Sequence, residues 1–364
     1  MKFPNRIRAV RNHKGYSREE LANLVGITRQ SIGLIESGSV CPSTVIALRL
    51  SRVLGPSVDQ LFWEKETTIQ AKFATNGIEN MDGPIRAYMG CIRGQIVARP
   101  AHIGAVESIA IPVQGVARSL SKRHELTEFN LLQSLDSISK MAFVSGCDLG
   151  LGLLANYAQK VSHSYQGVWF NAPNHKALKE LEDGITHIAA VHYPADAQHH
   201  RVKELSFAYH QYHFAKAELG WILPKGNPKG FRNASDLSNP HFRIINRELG
   251  AGARELLDRE SDRFGVDTDS ITGYTSIAKG HLAVAEAIVN GLADVGIGHS
   301  GAAAMFGLTF IPVQAEYCTL IVPKQHLHLE AVQVLLEALH SGVFHTELAC
   351  FGPYDVAKTG TTIS

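Results

Sequence analysis

The chain has 364 residues, 45% of them hydrophobic and 19% charged, with a formal net charge of +1; this is enough for two or three domains and too apolar for a disordered chain. No run approaches the ~18 apolar residues of a membrane-spanning helix, and the polar N-terminal stretch lacks a signal-peptide core, so a cytoplasmic protein with no membrane partner is expected. Cys41, Cys91, Cys147, Cys318 and Cys350 are scattered without a C-x-x-C pair, which fits reduced thiols better than a structural zinc or a redox dithiol.

In chain order, the first elements are two short helices joined by a tight turn between Ser17 and Gly38. Ser17 and Glu20 have the spacing of a capping box. Leu21, Ala22 and Val25 then form an apolar face, Gly26 gives the turn its freedom, and Ile27 plugs the core. Thr28 caps a second helix with Ile32 and Ile35 inward, and Gly38 ends it. Before Gly55 the cations Lys2, Arg6, Arg8, Arg11, Lys14, Arg18, Arg29, Arg49 and Arg52 face only Glu19, Glu20 and Glu36, an excess suited to phosphate contacts.

With Ile7 and Val10 before it and a helix from Pro42 to Gly55 after it, this pattern resembles the helix-turn-helix of the Cro/phage-repressor (XRE) family. The resemblance implies a sequence-specific DNA-binding regulator that reads a double-stranded operator as a homodimer on two half-sites. It places Ser17 and Arg18 near the phosphates, and Thr28, Arg29, Gln30, Ser31 and Gly33 at the groove end of the second helix. Arg suits a guanine edge and Gln an adenine edge, since each forms two parallel hydrogen bonds there.

Phe62 and Trp63 close this all-α domain, residues 1–66, and the polar run Glu64 to Thr68 marks its boundary. Residues 67–139 read as a small β-rich connector. Arg86 to Ala98 alternates around Arg93-Gly94 as a hairpin, Ile109 to Val113 and Gly115 to Ala117 suggest short strands, and Arg118 to Asn130 is polar.

Residues 140–364 read as α/β. Strands are expected at Met141–Val144, Gly167–Phe170 and Thr186–His192, and helices at Leu149–Lys160 and Lys176–Glu182. Leu219–Lys225 and Cys318–Lys324 form a matched pair of apolar strands, each ending in Pro-Lys. Between them another α/β unit, about 224–316, makes a second lobe, and the return segment is expected to run parallel.

The run from Arg243 to Asp258, followed by Gly280 to Gly298, resembles the type II periplasmic-binding-protein fold, and within it the cytoplasmic domains related to molybdate- and tungstate-binding proteins. The resemblance implies a cleft between lobes that holds a small ligand, an oxyanion such as molybdate or tungstate acting as effector rather than cofactor. Ser145, Gly146, Cys147 and Asp148 from the first lobe would face Arg247, Gly250, Ala251, Gly252, Ala253 and Arg254 from the second. Two helix N-termini there would supply N–H groups and partial positive charge. Ala251 and Ala253 stand where relatives often place Ser or Thr. His192, His281 and the hinge residue Tyr317 complete the candidates.

Gly150 to Ala155 matches G-x-G-x-x-A, but Gly150 follows its strand too late for a dinucleotide site. His199, His200, His210 and His213 lack a convincing carboxylate or thiolate partner, and Gly298 to Gly301 misses the spacing of a nucleophile elbow. No catalytic residue, metal set or cofactor is therefore expected. The rival readings are an enzyme acting on a small metabolite with an autoregulatory DNA-binding domain, and a ligand-independent DNA-binding assembly protein.

Overall fold

A computed structural model describes residues 3–63, 68–74, 83–101, 111–118, 126–196 and 205–363. The chain divides into two compact units, Met1–Ile69 and Gln70–Ser364.

The first unit contains α1 (Ile7–His13), α2 (Arg18–Val25), α3 (Arg29–Glu36), α4 (Thr44–Leu54) and α5 (Val58–Leu61). Local chemistry sets its boundaries. Ser17 Oγ accepts from Glu20 N at 3.1 Å while Glu20 Oε2 accepts from Ser17 N at 2.7 Å, and Thr28 Oγ1 accepts from Ser31 N at 3.1 Å. Gly26 ends α2 in the left-handed region at φ 77°, a conformation that costs other residues about 1–2 kcal/mol. Ser43 caps α4 through Ile46 N, so this helix begins at Thr44 rather than Pro42. Ile7, Leu21, Ile32, Leu50 and Leu54 are fully buried in one core. Beside it Glu36 accepts from Arg11 Nε at 2.5 Å and Arg18 Nε at 2.7 Å.

The second unit opens with a closed barrel of β1 (Thr68–Phe73), β2 (Ile85–Ile92), β3 (Gln95–Pro100), β4 (Gly115–Ala117) and β5 (Leu126–Leu131), in the order β1-β3-β2-β4-β5. The expected hairpin is β2 and β3, paired antiparallel, and its turn residues Arg93 and Gly94 both have positive φ, 51° and 75°, as the tight turns favoured by twisted hairpins require. Two expectations differ. Ile111 to Val113 forms no strand, and the polar run to Asn130 ends in β5, where Thr127 and Phe129 point inward. Parts of both segments lie outside the described residues.

A short α6 (Asp136–Ser139) leads into the α/β part. The first lobe holds β6 (Met141–Gly146), α7 (Gly150–Val161), β7 (Gln166–Asn171), α8 (Asn174–Glu182) and β8 (Ile188–Pro194), then β9 (Tyr209–Leu223) leads out. The second lobe holds β10 (Ile244–Arg247), α9 (Gly252–Phe264), β11 (Ile277–Ala278), α10 (His281–Val289), β12 (Val295–His299) and α11 (Ser300–Met305). The chain returns along β13 (Thr309–Pro323) to α12 (Glu330–Leu339), α13 (Gly342–Phe351) and β14 (Thr362–Ile363). One sheet, ordered β11-β10-β12-β9-β13-β8-β6-β7, spans both lobes, with β14 on β9.

The long strands β9 and β13 are the hinge, and they are antiparallel. The expected parallel return is thus corrected: one strand carries the chain out and the other carries it back alongside. Cys318 pairs with Ala215, and Leu219 with Gln314, so the two Pro-Lys segments do not pair with each other. The barrel is anchored to the first lobe by buried polar contacts. Arg99 donates to Glu180 and to Ser145, both at 2.9 Å, with its guanidinium 3.6 Å over the Phe170 ring. His187 Nδ1 accepts from Phe143 N, and its Nε2 meets the Cys91 carbonyl at 3.1 Å.

Candidate functional site

In the first unit, Ser17 is exposed at the start of α2, and at the N-terminal half of α3 Thr28, Arg29 and Gln30 are exposed and Ser31 and Gly33 half-exposed. A Cβ built on Gly33 meets nothing within 4 Å. The face is open, as a helix that enters a groove must be. Arg29 is 71% exposed and its nearest acid, Glu19, is 4.0 Å away. Arg18 differs from expectation. Its Nε is held by Glu36, and the side chain is 40% exposed, so part of its charge closes the fold and only the rest faces solvent.

In the second unit, a pocket of about 90 Å³ lies between the lobes, room for a few water molecules or one small ligand. Cys147, Asn174, His192 and Pro194 line it from the first lobe, and Arg247, Ala251, Gly252, Ala253, Glu255, Arg259 and His281 from the second, with Gln314 and Glu316 on the hinge strand. The lobes touch at its rim. The carbonyl of Gly250 (φ 80°) lies 3.2 Å from His175 Nδ1, and a Cβ on Gly280 would stand 2.6 Å from Asn171.

A family model described as the PBP superfamily domain matches residues 155–340, just over half of the chain. The chain belongs to that superfamily. A second model, described as Helix-turn-helix, matches residues 7–61. Among curated proteins, the chain is 37% identical over 147 residues to the uncharacterized protein YvgK of Bacillus subtilis, covering 40% of this chain and 47% of that one, about half its length. It is 34% identical over 110 residues to an uncharacterized protein in a ferredoxin 2Fe-2S gene 5′ region of Clostridium pasteurianum, covering 30% of this chain and 97% of that one. It is also 36% identical over 62 residues to the uncharacterized HTH-type transcriptional regulator YgzD of B. subtilis, covering 17% and 94%. Solved structures with a similar chain path include a putative phosphate ABC transporter substrate-binding protein with bound phosphate from Clostridium perfringens. Its identity is 11%, its TM-score 0.46, and it covers 58% of this chain and 98% of that chain.

The two walls of the PBP-like cleft differ chemically. On the second lobe, α9 starts at the pocket without a side-chain cap. Arg247, 2% exposed, donates to His281 Nδ1 at 2.9 Å and to Glu248, and Arg259 bonds Gln314. On the first lobe, Asp148 Oδ1 takes the Gly150 N–H at 2.8 Å and the Tyr354 hydroxyl at 2.8 Å. The N-terminus of α7 is therefore satisfied by the protein's own carboxylate. His192 is fixed by a two-way bond between its backbone and the Asn174 side chain, and its Nδ1 is 3.4 Å from Glu316 Oε2.

Burial governs the electrostatics at the base. It pushes the Cys318 thiol up to about 12 and raises Tyr354, whose neighbour Asp148 adds to the effect. It pushes His281 well down, helped by the Arg247 charge, and lowers His299 as well. Burial would raise Glu316, but bonds from His192 and Gln314 outweigh it and keep its carboxyl below the usual range.

Of the expected ligand residues, the structure brings Cys147, His192, Arg247, Ala251, Gly252, Ala253 and His281 together, with Asp148 behind them. The others point elsewhere. Ser145 is fully buried, donating to Glu180 at 2.6 Å and accepting from Arg99, because β6 turns it toward the barrel. Gly146 packs against Ala190 and Leu151. Gly250 forms the rim. Arg254 runs along α9 to Asp258 and stacks 4.2 Å from Tyr274. Tyr317 lies across the sheet, near His213 and Lys358. Gly150 is a packing glycine, its Cβ position 2.6 Å from Leu348, and His199 and His200 lie outside the described residues. Gln314, Glu316, Glu255, Arg259, Asn174 and His299 were not expected. For the hinge residues a signal existed: Gln314, Glu316 and Cys318 share one face by strand alternation, which sends Tyr317 to the other.

Proposed function

We propose that the protein is a transcription regulator whose helix-turn-helix binds operator DNA and whose PBP-like cleft binds a small oxyanion or carboxylate effector. The homodimer expected for two half-sites belongs to this reading. The observation that carries it is the second-lobe wall, where the uncapped start of α9 meets Arg247 and Arg259 in a pocket sized for a small anion. Helix N–H groups and guanidinium groups stabilise an anion there without a metal. Glu255 and Glu316 in the same lining favour an anion that also brings a donor proton, such as hydrogen phosphate or a hydroxy- or amino-carboxylate, over acceptor-only molybdate or tungstate. The reading assigns the cleft to binding, not turnover, and the ligand acts on DNA binding only through its preference for one lobe arrangement.

The test is melting of the full chain against molybdate, tungstate, sulfate, phosphate and a panel of small carboxylates. A ligand at 100 times its Kd stabilises by about 2.7 kcal/mol, and the effective compound should also change operator affinity. Selective stabilisation by donor-bearing anions is the expected result. A shift with molybdate or tungstate alone would reverse the preference within the class, and indifference to every anion would remove the effector reading while leaving the DNA-binding one standing.

A further inference from the structure

At the base of the cleft, Asp148 Oδ2 and His192 Nε2 face each other at 3.5 Å. Both are buried, and neither has a hydrogen-bond partner. Asp148 is 1% exposed and spends its other oxygen on Gly150 N and the Tyr354 hydroxyl. Glu316 Oε2 lies 3.4 Å from the other ring nitrogen, Nδ1. A buried carboxylate oxygen and a buried ring nitrogen that face each other without a hydrogen bond are costly in a dry site. A cation held between them would satisfy both.

We propose that this cation is a divalent transition metal of the zinc type, bound by Asp148, His192 and Cys318. One donor atom of each residue lies within 4.8 Å of the others. Donors held at roughly 2.0–2.3 Å around a tetrahedral ion stand about 3.3–3.6 Å apart, which matches the Asp148–His192 separation. A charge-assisted hydrogen bond would instead draw that pair to about 2.7–2.9 Å. Carboxylate, imidazole and thiolate together suit Zn²⁺. On binding, the Cys318 Sγ–H proton is released to solvent and the thiolate becomes the ligand. Glu316 acts as a positioning residue, holding the ring through Nδ1–H, as the outer carboxylates of metal sites do.

His299 stands beside the set and outside it. Its Nδ1 accepts from Gly301 N at 3.1 Å, so its proton sits on Nε2, 3.6 Å from Asp148 Oδ2 and without a hydrogen-bond partner. That N–H is a donor toward whatever fills the fourth position of the ion. The proposal does not depend on the anion reading, since the ion would bind whether or not the cleft takes an anionic effector.

The experiment uses the full chain, stripped with a chelator and titrated with Co²⁺ and then Zn²⁺. Expected are one Co²⁺ per chain, a thiolate-to-cobalt charge-transfer band, and displacement of both by Zn²⁺. Cys318→Ser should lose the band, His192→Gln should lose stoichiometric binding, and Glu316→Gln should weaken Zn²⁺ about 10–100-fold. Melting curves recorded in chelator establish that each variant is folded. Should Cys318→Ser not fold, His192→Gln and Glu316→Gln decide the question by the same titration. Absence of stoichiometric binding to the wild-type chain, or a charge-transfer band that survives Cys318→Ser, overturns the proposal.

Discussion

Glu180→Gln tests how the barrel is tied to the first lobe. Arg99 and Glu180 are each 4% exposed in their side chains and 2.9 Å apart, and Ser145 bridges them. Burial presses Arg99 below its ordinary value and the Glu180 charge opposes this. With the carboxylate neutralised, a guanidinium is left over Phe170 with no paired charge, and breaking such a buried pair costs about 3–5 kcal/mol. Thermal and urea unfolding should show that loss in the transition of the Gln70–Ser364 unit, a fall in Tm of at least ~6 °C, while the first unit melts unchanged. Arg99→Met combined with Glu180→Leu should recover most of it, because apolar replacement of both partners is often neutral. Adding Ser145→Ala then removes the stranded hydroxyl, worth about 1–3 kcal/mol. A single variant within ~1 kcal/mol of wild type, or a double variant no better than the single, would refute the reasoning.

Gly33→Ala should stabilise the first unit by roughly 0.5–1 kcal/mol, since its Cβ meets open space within a helix. Arg29→Ala and Gln30→Ala should leave melting within ~0.5 kcal/mol but each cost ~1–3 kcal/mol of discrimination at one operator base; unchanged selectivity in both, measured by anisotropy on operator variants, would exclude α3 as the reading helix. His187 should make the second unit acid-sensitive. Burial, with His326 adding to it, lowers its pKa from 6.5 to about 3, so it folds neutral. The unfolded chain then binds more protons between those values, and stability is full above 6.5 and declines as pH falls toward 3, by up to ~5 kcal/mol. Urea titrations across that range should show a shallower acid slope in His187→Gln; an identical slope would place the sensitivity elsewhere.

What was legible in the sequence was set by neighbours in the chain. Ser17, Glu20, Gly26 and Thr28 act on backbone groups within a few residues, and Arg93-Gly94 fixes a hairpin through its own torsions. The cleft depends on which face of a strand meets which lobe, and one residue of phase reverses that. Ser145 and Tyr317 carry suitable chemistry on the wrong faces, while Glu316, next to Tyr317, faces the pocket. Arg254 also leaves the cleft, since at i,i+4 from Asp258 it is drawn along its own helix. The direction of the return strand depended on the path through a second lobe that no local pattern encodes.

The capping at the two lobes decides how a ligand would lie. Of the two helix starts expected to form a symmetric anion cradle, Asp148 closes that of α7 from within, while α9 begins without a side-chain cap. On the proposed reading, negative charge on a ligand would lie near Ala251, Gly252 and Arg247, and its donors or cationic groups near Glu316. The same carboxylate that closes the start of α7 leaves Oδ2 facing His192. If both proposals hold, Asp148 places a cation behind the first-lobe wall, and the cleft pairs it with an anion held on the second lobe.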